Sequence, residues 1–418
     1  MKKIPLHSLV VMVGPSGSGK STLAERMFPR HEILAIDAIR ESMVGDFTRR
    51  DITDIAWDTL YRMAELKLSL GERVVIDGTH LRKGDRLKSA GIGKTLGVPV
   101  FYVIVNRPLD EKLNTEGWRA KYPNLVKSQD VLFLENERDI IWGDGIADVI
   151  DTRIGRFEVV QKINRERFLE DVKARGFSGV SVIGDVHGQY ESFAQTIDWA
   201  RRRNHFLIIL GDLNDYGPDS IGTVDLAYHH IVRGSAVNVI GNHELKISKW
   251  LLQPQNMNFK LSDGNKTTVS QYEKLSVEAQ LKWKTRFAAL MNLGAYHWVL
   301  DSFVFAHGAV SENLFGIHDT QLRGKLGKFV MFGELNAQEP FDQSHNMPNK
   351  VYNWCKFIPK GKTAIVGHDI RTTMAPLVVP SNYGGETIFL DTGSGKGGAL
   401  TCADIPFSEM KVTNFYRC

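Results

Sequence analysis

Cysteine is nearly absent from this sequence: three in 418 residues, Cys355, Cys402 and Cys418. An odd number, so widely spaced, builds neither a disulfide framework nor a zinc pattern, and a reducing compartment is the default expectation. Long apolar runs are also missing. No stretch approaches the length needed to span a bilayer. The apolar run Leu9–Val13 behind Met1-Lys2-Lys3 is too short for a signal peptide and passes straight into a glycine-rich loop, so it reads as a first strand. A cytoplasmic protein with no membrane partner is expected. Internal repeats and low-complexity tracts are lacking, and so is a strong charge of either sign: Lys and Arg number 52 against 48 Asp and Glu, a net +4. That mildly basic balance fits a nucleic-acid partner without demanding one.

What is present is a soluble globular composition, 43% hydrophobic and 24% charged, on a chain long enough for two or three domains. The first part alternates β-branched strands (Leu9–Val13, Val74–Ile76, Val100–Val105) with amphipathic helices. One such helix is Asp51–Leu70, with Ile52, Ile55, Ala56, Leu60 and Met63 on its apolar stripe. That alternation predicts a parallel sheet with helices on both faces. A charged helical stretch, Ile163–Lys173, is broken by Gly176-Phe-Ser-Gly179, which places a domain boundary between residues 175 and 176. In the second part, short strands repeatedly end in polar clusters: Gly184-Asp185, Gly211-Asp212, Gly241-Asn242-His243-Glu244, His307, Gly367-His368 and Asp391. Functional groups in α/β sheets gather at the carboxyl ends of strands, so these six ends are expected to converge. Gln253–Thr268 is polar and weakly patterned and reads as a loop or insertion.

Gly14-Pro-Ser16-Gly17-Ser18-Gly19-Lys20-Ser21-Thr22 follows a strand and opens a helix. In that context the glycines let successive backbone N–H groups point at phosphate oxygens. Lys20 neutralises charge on the terminal phosphates, and Ser21 ligates magnesium. ATP and Mg2+ are the expected cofactors. Asp37 follows the next strand, Glu32–Ile36, with Arg40 three residues on. The pair can serve as a base for an attacking hydroxyl and a bidentate clamp on an acceptor phosphate. It can equally be an N-cap aspartate beside a surface arginine.

The loop, Asp37-x-x-Arg40 and Val75-Ile-Asp77-Gly-Thr79-His80 together resemble the kinase module of polynucleotide 5′-kinases. The resemblance implies that Asp37 is the general base on a 5′-hydroxyl and Arg40 a contact to the acceptor backbone. It also implies a lid that brings arginines to ATP. Arg119 fits one lid position, and Arg107 is either a substitute for another or a strand-end arginine. Asp77 either orients magnesium-bound water or caps the following turn.

The second half carries Asp185-x-His187, Asp212-x-x-Asp215, Asn242-His243-Glu244, His307 and His368 in order, each at a strand end. Mixed carboxylate, imidazole and amide ligands suit a pair of divalent transition ions, with manganese the first expectation, rather than calcium or structural zinc. Such a pair can clamp a phosphoryl group for in-line attack.

These residues resemble the calcineurin-like phosphoesterase superfamily in its phosphoprotein-phosphatase branch, over nearly all of Val180 to Cys418. The resemblance implies an αββα sandwich. In it Asp185 and His187 hold the first metal, Asp212 bridges, and Asn242, His307 and His368 complete the second. His243 protonates the leaving oxygen under the charge of Asp215. The tail, with Met347-Pro-Asn-Lys-Val-Tyr-Asn-Trp354, Gly367-His368 and Asp391-Thr-Gly393 before Gly397-Gly398, resembles the phosphatase module of bacterial polynucleotide kinase-phosphatases. There Asp391 is either a residue near the metals or a turn aspartate. One departure stands out: Tyr216 occupies the place of an arginine that contacts the scissile phosphate. Arg371 and Arg323 are either its replacements or surface charges. The change makes a phosphodiester or cyclic-phosphate substrate relatively more plausible.

The arginine runs Arg201-Arg-Arg203 and Arg49-Arg50 read as solvated helix faces or as tracks for a nucleic-acid backbone. The combined expectation is an α/β protein with a P-loop kinase domain (1–175) and a two-metal phosphoesterase domain (176–418). It would heal nucleic-acid ends, phosphorylating a 5′-hydroxyl and removing a 3′-phosphate or 2′,3′-cyclic phosphate, with sealing left to a separate ligase. The competing reading is a small-molecule kinase fused to a dinucleoside-polyphosphate hydrolase or a phosphoprotein phosphatase. A binding protein with a degenerate phosphatase is a third reading; the intact ligand set argues against it.

Overall fold

The computed structural model of the chain describes residues 1–114, 122–252, 261–318, 322, 324–339, 341–342 and 347–418. They form two compact units: Met1–Gln161 with Val277–Asn292, and Lys162–Ser276 with Leu293–Cys418. The segment just before residue 175 goes with the second unit because Phe168 and Val172 are buried in its core. The segment Val277–Asn292 returns to the first.

The first unit is built on five parallel strands in the spatial order Ile33–Ala35, Val74–Asp77, Leu9–Val13, Val100–Ile104, Asp148–Asp151. The strand residues alternate between two cores. Leu9, Val11, Val13, Val74, Ile76 and Tyr102 face one, while Val10, Met12, Val75, Phe101 and Val103 face the other. Burial on both faces is why these strands are continuous apolar runs. The helix foreseen at 51–70 runs Thr53–Ser69 and buries Ala56, Leu60, Ala64 and Leu68. Ile55 and Met63, assigned to the buried stripe from the sequence, are instead exposed. Small alanines at the contact let the helix sit close, and the larger side chains point outward.

In the second unit, two five-stranded sheets face each other. One has the order Ala236–Asn238, His205–Ile209, Gly179–Ile183, Thr401–Pro406, Asn414–Arg417. The other has the order His297–Leu300, Phe303–Ala306, Thr363–Val366, Glu386–Phe389, Leu377–Pro380. Val180, Val182, Phe206 and Ile208 from the first sheet meet Phe303, Phe305, Ile365 and Ile388 from the second in one core. The alternate residues Val304, Ala306, Ala364, Val366 and Phe389 pack on the opposite face of the second sheet, under Val330 and Trp354. This period-two alternation is the sandwich pattern. It carries the ends of Gly179–Ile183, His205–Ile209, Phe303–Ala306, Thr363–Val366 and Glu386–Phe389 toward one set of loops. Within Gln253–Thr268, residues 253–260 lie outside the described set. The remainder is no loop: Ser262 and Asn265 form a capping box that opens the helix Asp263–Glu273.

Candidate active sites

In the first unit, the turn after Leu9–Val13 has the backbone of a phosphate cradle. Gly17 and Gly19 have φ of 83° and 98°, a region that L side chains rarely adopt. A Cβ on Gly14 would lie 2.0 Å from the Val105 carbonyl oxygen. The helix Lys20–Met27 begins directly behind Gly19, so its unpaired N–H groups and positive dipole end face the loop. Gly17, Gly19, Lys20, Ser21, Thr22, Arg26 and Arg107 line a cavity of about 500 Å³. The Lys20 ammonium bonds the Pro15 carbonyl at 2.8 Å, folded back over the loop, and the Ser16 N–H donates to Gln129 Oε1.

Asp77 stands beside Ser21 and Lys20. Burial raises its pKa, Ser21 and Lys20 oppose that rise, and the charge of nearby Asp37 adds to it. Asp37 is thus within electrostatic reach of the cradle. It lies in the first turn of the helix Ile36–Val44, not at a strand end, because the strand stops at Ala35. Arg40 is buried and donates to Asp37 Oδ1 at 2.5 Å, so the structure brings this pair together. Arg107 joins the cradle wall, and among the described residues its buried Nε has no hydrogen-bond partner. Arg119 lies outside the described residues.

In the second unit, the expected ligands converge. Asp212 Oδ2 is 3.3 Å from His307 Nε2 and 3.8 Å from His187 Nε2. His307 Nε2 is also 3.0 Å from Asn242 Oδ1 and 3.1 Å from His368 Nδ1. Asp212, His307 and His368 form one group of mutually close ligand atoms, and His187, Asp212 and His243 form another. Asp185 closes the floor, its carboxylate accepting the His368 N–H at 3.0 Å. Gly367 must be glycine, since a Cβ would sit 2.1 Å from Asp185 Oδ1.

The donor set fits two cations. Buried polar atoms gather here without enough protein partners: among the described residues His187 Nε2 and Asp391 Oδ2 have no hydrogen-bond partner, and His307 Nε2 and His368 Nδ1 lie 3.1 Å apart. Burial pushes Asp185 well above the carboxylate range, and Asp391 and Asp212 add repulsion. Burial also raises Asp391 itself. Burial works to lower His307, yet the charges of Asp212 and Asp185 lift it to about 10. So many clustered carboxylates need positive charge, which divalent ions supply. Backbone strain concentrates here too. His187, Asp212, Asp215, Tyr216 and His368 all have φ between 47° and 78°, a conformation that costs of order 1 kcal/mol or more each and persists only where surroundings enforce it.

His243 presents Nε2 to the cluster, 3.7 Å from Asp212 Oδ2, while its Nδ1 pairs with Asp215. Burial lowers His243, but Asp212 and Asp215 outweigh it and the net shift is upward. Asp215 also accepts from Asn214 Nδ2 at 2.8 Å, from Asn265 Nδ2 at 2.5 Å and from Thr268 Oγ1. Sequence reasoning missed Asn265 and Thr268, although the Ser262-x-x-Asn265 spacing signalled the helix that delivers them. It also gave Glu244 no role. The buried Glu244 accepts the N–H groups of Asp212, Leu213 and Gly241, pinning the turn that carries Asp212. Three backbone donors on one carboxylate offset the cost of burying it.

Tyr216 stands edge-on to His187, ring centroids 5.0 Å apart, and 5.5 Å from His243. Arg371 lies over the Tyr352 ring at 3.8 Å and does not border the cavity, and Arg323 lies outside the described residues. That cavity, about 1290 Å³, is lined by Asp212, Asn242, His243 and His368, by Lys246, Lys325, Lys328, Lys350 and Lys396, and by apolar rings including Phe329 and Phe332. Most residues of the two arginine runs have an acidic neighbour. Arg201 and Arg202 pair with Asp198, Arg203 with Asp404, and Arg49 with Asp51.

Comparison with known proteins matches residues 9–128 to the AAA domain and residues 180–369 to the calcineurin-like phosphoesterase family. The chain is 28% identical over 242 residues to an asymmetrical bis(5′-nucleosyl)-tetraphosphatase, PrpE, of Geobacillus sp. (strain WCH70), spanning 55% of this chain and 91% of that one. The Bacillus subtilis (strain 168) protein of the same name is 23% identical, with 54% and 91% covered. A solved metallophosphoesterase from Sphaerobacter thermophilus aligns at 18% identity with a TM-score of 0.32, covering 57% of this chain and 88% of that one. Among the described residues, no helix is long and apolar enough to cross a membrane. The chain therefore joins an N-terminal P-loop domain of the AAA type to a C-terminal calcineurin-like phosphoesterase domain, a fold that implies divalent metal ions.

Proposed function

We propose that the protein is a bifunctional end-healing enzyme of nucleic acids. Its P-loop unit phosphorylates a 5′-hydroxyl from ATP, and its phosphoesterase unit removes a 3′-phosphate or opens a 2′,3′-cyclic phosphate. The observation that carries the phosphoesterase half is the convergence of His187, Asp212, His307, His368 and Asn242 donor atoms beside an open, lysine-rimmed cavity. The kinase half is supported by the cradle with Asp37 and Arg40 beside it.

In the first unit Lys20 and the backbone N–H groups of residues 17–22 hold the triphosphate. Ser21, with Asp77 behind it, would hold the magnesium that offsets phosphate charge, and Asp37 accepts the proton of the attacking hydroxyl. Arg40 orients Asp37 and offers its fork to a phosphate of the acceptor. In the second unit Asp185, His187 and Asp212 would hold one divalent ion and Asp212, Asn242, His307 and His368 the other, which together supply Lewis-acid activation of water and substrate. Asp215 accepts the Nδ1–H of His243 and favours its imidazolium form, so the Nε2–H can pass to the leaving oxygen and His243 is the general acid. Lys246, Lys325 and Lys328 rim the cavity and suit a polyanion extending from the scissile phosphate.

A second reading, asymmetrical hydrolysis of dinucleoside tetraphosphates, is favoured by the named activity of the relatives that match this half. One experiment separates them. The protein is given ATP, Mg2+ and Mn2+ with an oligonucleotide bearing 5′-hydroxyl and 3′-phosphate ends, and separately with diadenosine tetraphosphate. Conversion of both oligonucleotide ends supports end healing. Unchanged ends with tetraphosphate cleavage would replace it by the second reading.

A further inference from the structure

We infer that Lys396, seated on the ring of Tyr216, is the side chain that brings positive charge to the scissile phosphate and sets a preference for the monoester dianion. The inference rests on the phosphoesterase reading above and deepens it.

Tyr216 removes a cation from the loop after Asp212, and the fold returns one from another loop. Behind Asp391, a tight turn is closed by the N–H groups of Lys396 and Gly398 on the Gly393 carbonyl, at 2.9 and 2.8 Å. Gly395 runs hard against the metal-side wall. A Cβ there would lie 2.6 Å from His187 Cβ and 3.5 Å from Tyr216 Cβ, and its φ of 72° favours glycine independently. That close approach places Lys396 over the site. Its Nζ lies 4.8 Å from the Tyr216 ring centroid, within cation–π range. Among the described residues it has no carboxylate at ion-pair distance. Its charge is felt at His187 and at Asp391, on either side of the cluster.

The platform is itself fixed. Tyr216 is wedged between His187 and His243, and Gly264 leaves no room for a side chain, a Cβ there falling 2.7 Å from the ring. Both Tyr216 and Lys396 border the cavity that Asp212, Asn242, His243 and His368 share. Arg371, one of the two arginines that could have served, is stacked away on Tyr352. A lysine is a compact charge on a flexible stem, so it can leave the ring for a non-bridging oxygen without rearranging the backbone. A monoester dianion offers one more negative charge than a diester and gains more from that contact.

The test compares the wild-type protein with Lys396→Gln, Lys396→Arg and Tyr216→Leu on 4-nitrophenyl phosphate and bis(4-nitrophenyl) phosphate. Inorganic phosphate binding is measured by calorimetry with and without manganese. Lys396→Gln should raise KM for the monoester about tenfold or more, the scale of one charge-assisted hydrogen bond. The monoester-to-diester ratio should fall by a similar factor and phosphate affinity should weaken. Lys396→Arg should recover most of the loss, and Tyr216→Leu should lose part of it. Equal losses on both esters, or an unchanged ratio and unchanged phosphate affinity in folded Lys396→Gln, overturn the inference. If the wild type hydrolyses neither ester, the phosphoesterase reading fails, and the phosphate titration alone then decides whether Lys396 binds phosphate.

Discussion

Thr268→Val is a nearly isosteric change that isolates the role of the helix Asp263–Glu273. Thr268 Oγ1 accepts the Asp215 N–H at 3.0 Å and donates to Asp215 Oδ1. Neither group is orphaned by the change, because Ser220 Oγ still holds the N–H at 2.9 Å and Asn214 Nδ2 still reaches Oδ1 at 2.8 Å. The loss is therefore of aim rather than of satisfaction. A hydrogen bond to a charged group contributes about 1.5–3 kcal/mol. If part of it is expressed in how Asp215 orients His243, kcat on an aryl phosphate should drop by about tenfold, with KM and bound metal unchanged. Asn265→Ala, which removes one of the donors to Asp215 Oδ2, should act in the same direction. Steady-state kinetics, elemental analysis for metal and the melting temperature together decide it. A folded variant with wild-type kcat, or a loss that tracks metal content, would refute the view that this helix tunes the acid.

Lys20→Ala and Asp37→Ala should each abolish transfer of labelled phosphate from ATP while leaving phosphoesterase turnover intact, as parallel assays on one preparation would show. Asp212→Asn should lose both bound transition metal and phosphoesterase activity but keep ATP-driven labelling, measured by elemental analysis beside the two assays. His80 is buried between the Met12 carbonyl and Ser89, and burial lowers its pKa from 6.5 to about 4. The unfolded chain therefore takes up the proton first. The first unit should lose up to about 3 kcal/mol as pH falls from 6.5 toward 4, and His80→Gln should flatten that part of the pH dependence of urea unfolding. Glu32 makes a buried bidentate pair with Arg73, at 2.7 and 3.1 Å. Glu32→Ala should destabilise the first unit by about 3–5 kcal/mol in the same measurement, because it strands a buried guanidinium.

The legible parts of this chain were those where a local rule and the tertiary structure ask for the same residue. Gly17, Gly19 and the helix start at Lys20 satisfy backbone geometry within one turn, so the cradle could be read from spacing. The metal-side residues were legible for a different reason: each follows its own short strand, and a parallel arrangement gathers such ends whatever the connections between them. Contacts made across the chain left weaker marks. Ile55 and Met63 fit a helical stripe yet face solvent, since the space beneath Thr53–Ser69 is set by the facing sheet and takes Ala56 and Ala64 instead. Asn265 and Thr268 lie far along the chain from Asp215, inside a polar stretch whose composition resembled a loop. Only the capping box marked a helix there, and nothing local marked its target. The return of Val277–Asn292 to the first unit is likewise a matter of what the helix meets.

Tyr216 shows how geometry bears on a departure from pattern. At the level of residues, the missing arginine weakens the argument for a phosphomonoesterase, because a dianion needs more positive charge than a diester. The structure moves the question from one loop to two. The ring at 216 fills the wall between His187 and His243, and the glycine at 395 lets a second backbone pass close enough to put an ammonium above that ring. Charge at an active site belongs to the cavity and not to a sequence position, so a cation arriving from residue 396 can meet the same demand as one from residue 216. It is held differently, on a π face and, among the described residues, with no carboxylate at ion-pair distance, so its ammonium can turn to a phosphate oxygen. The ratio of monoester to diester turnover is then a property of the Lys396–Tyr216 pair taken together, and substitutions at the two positions should couple rather than add.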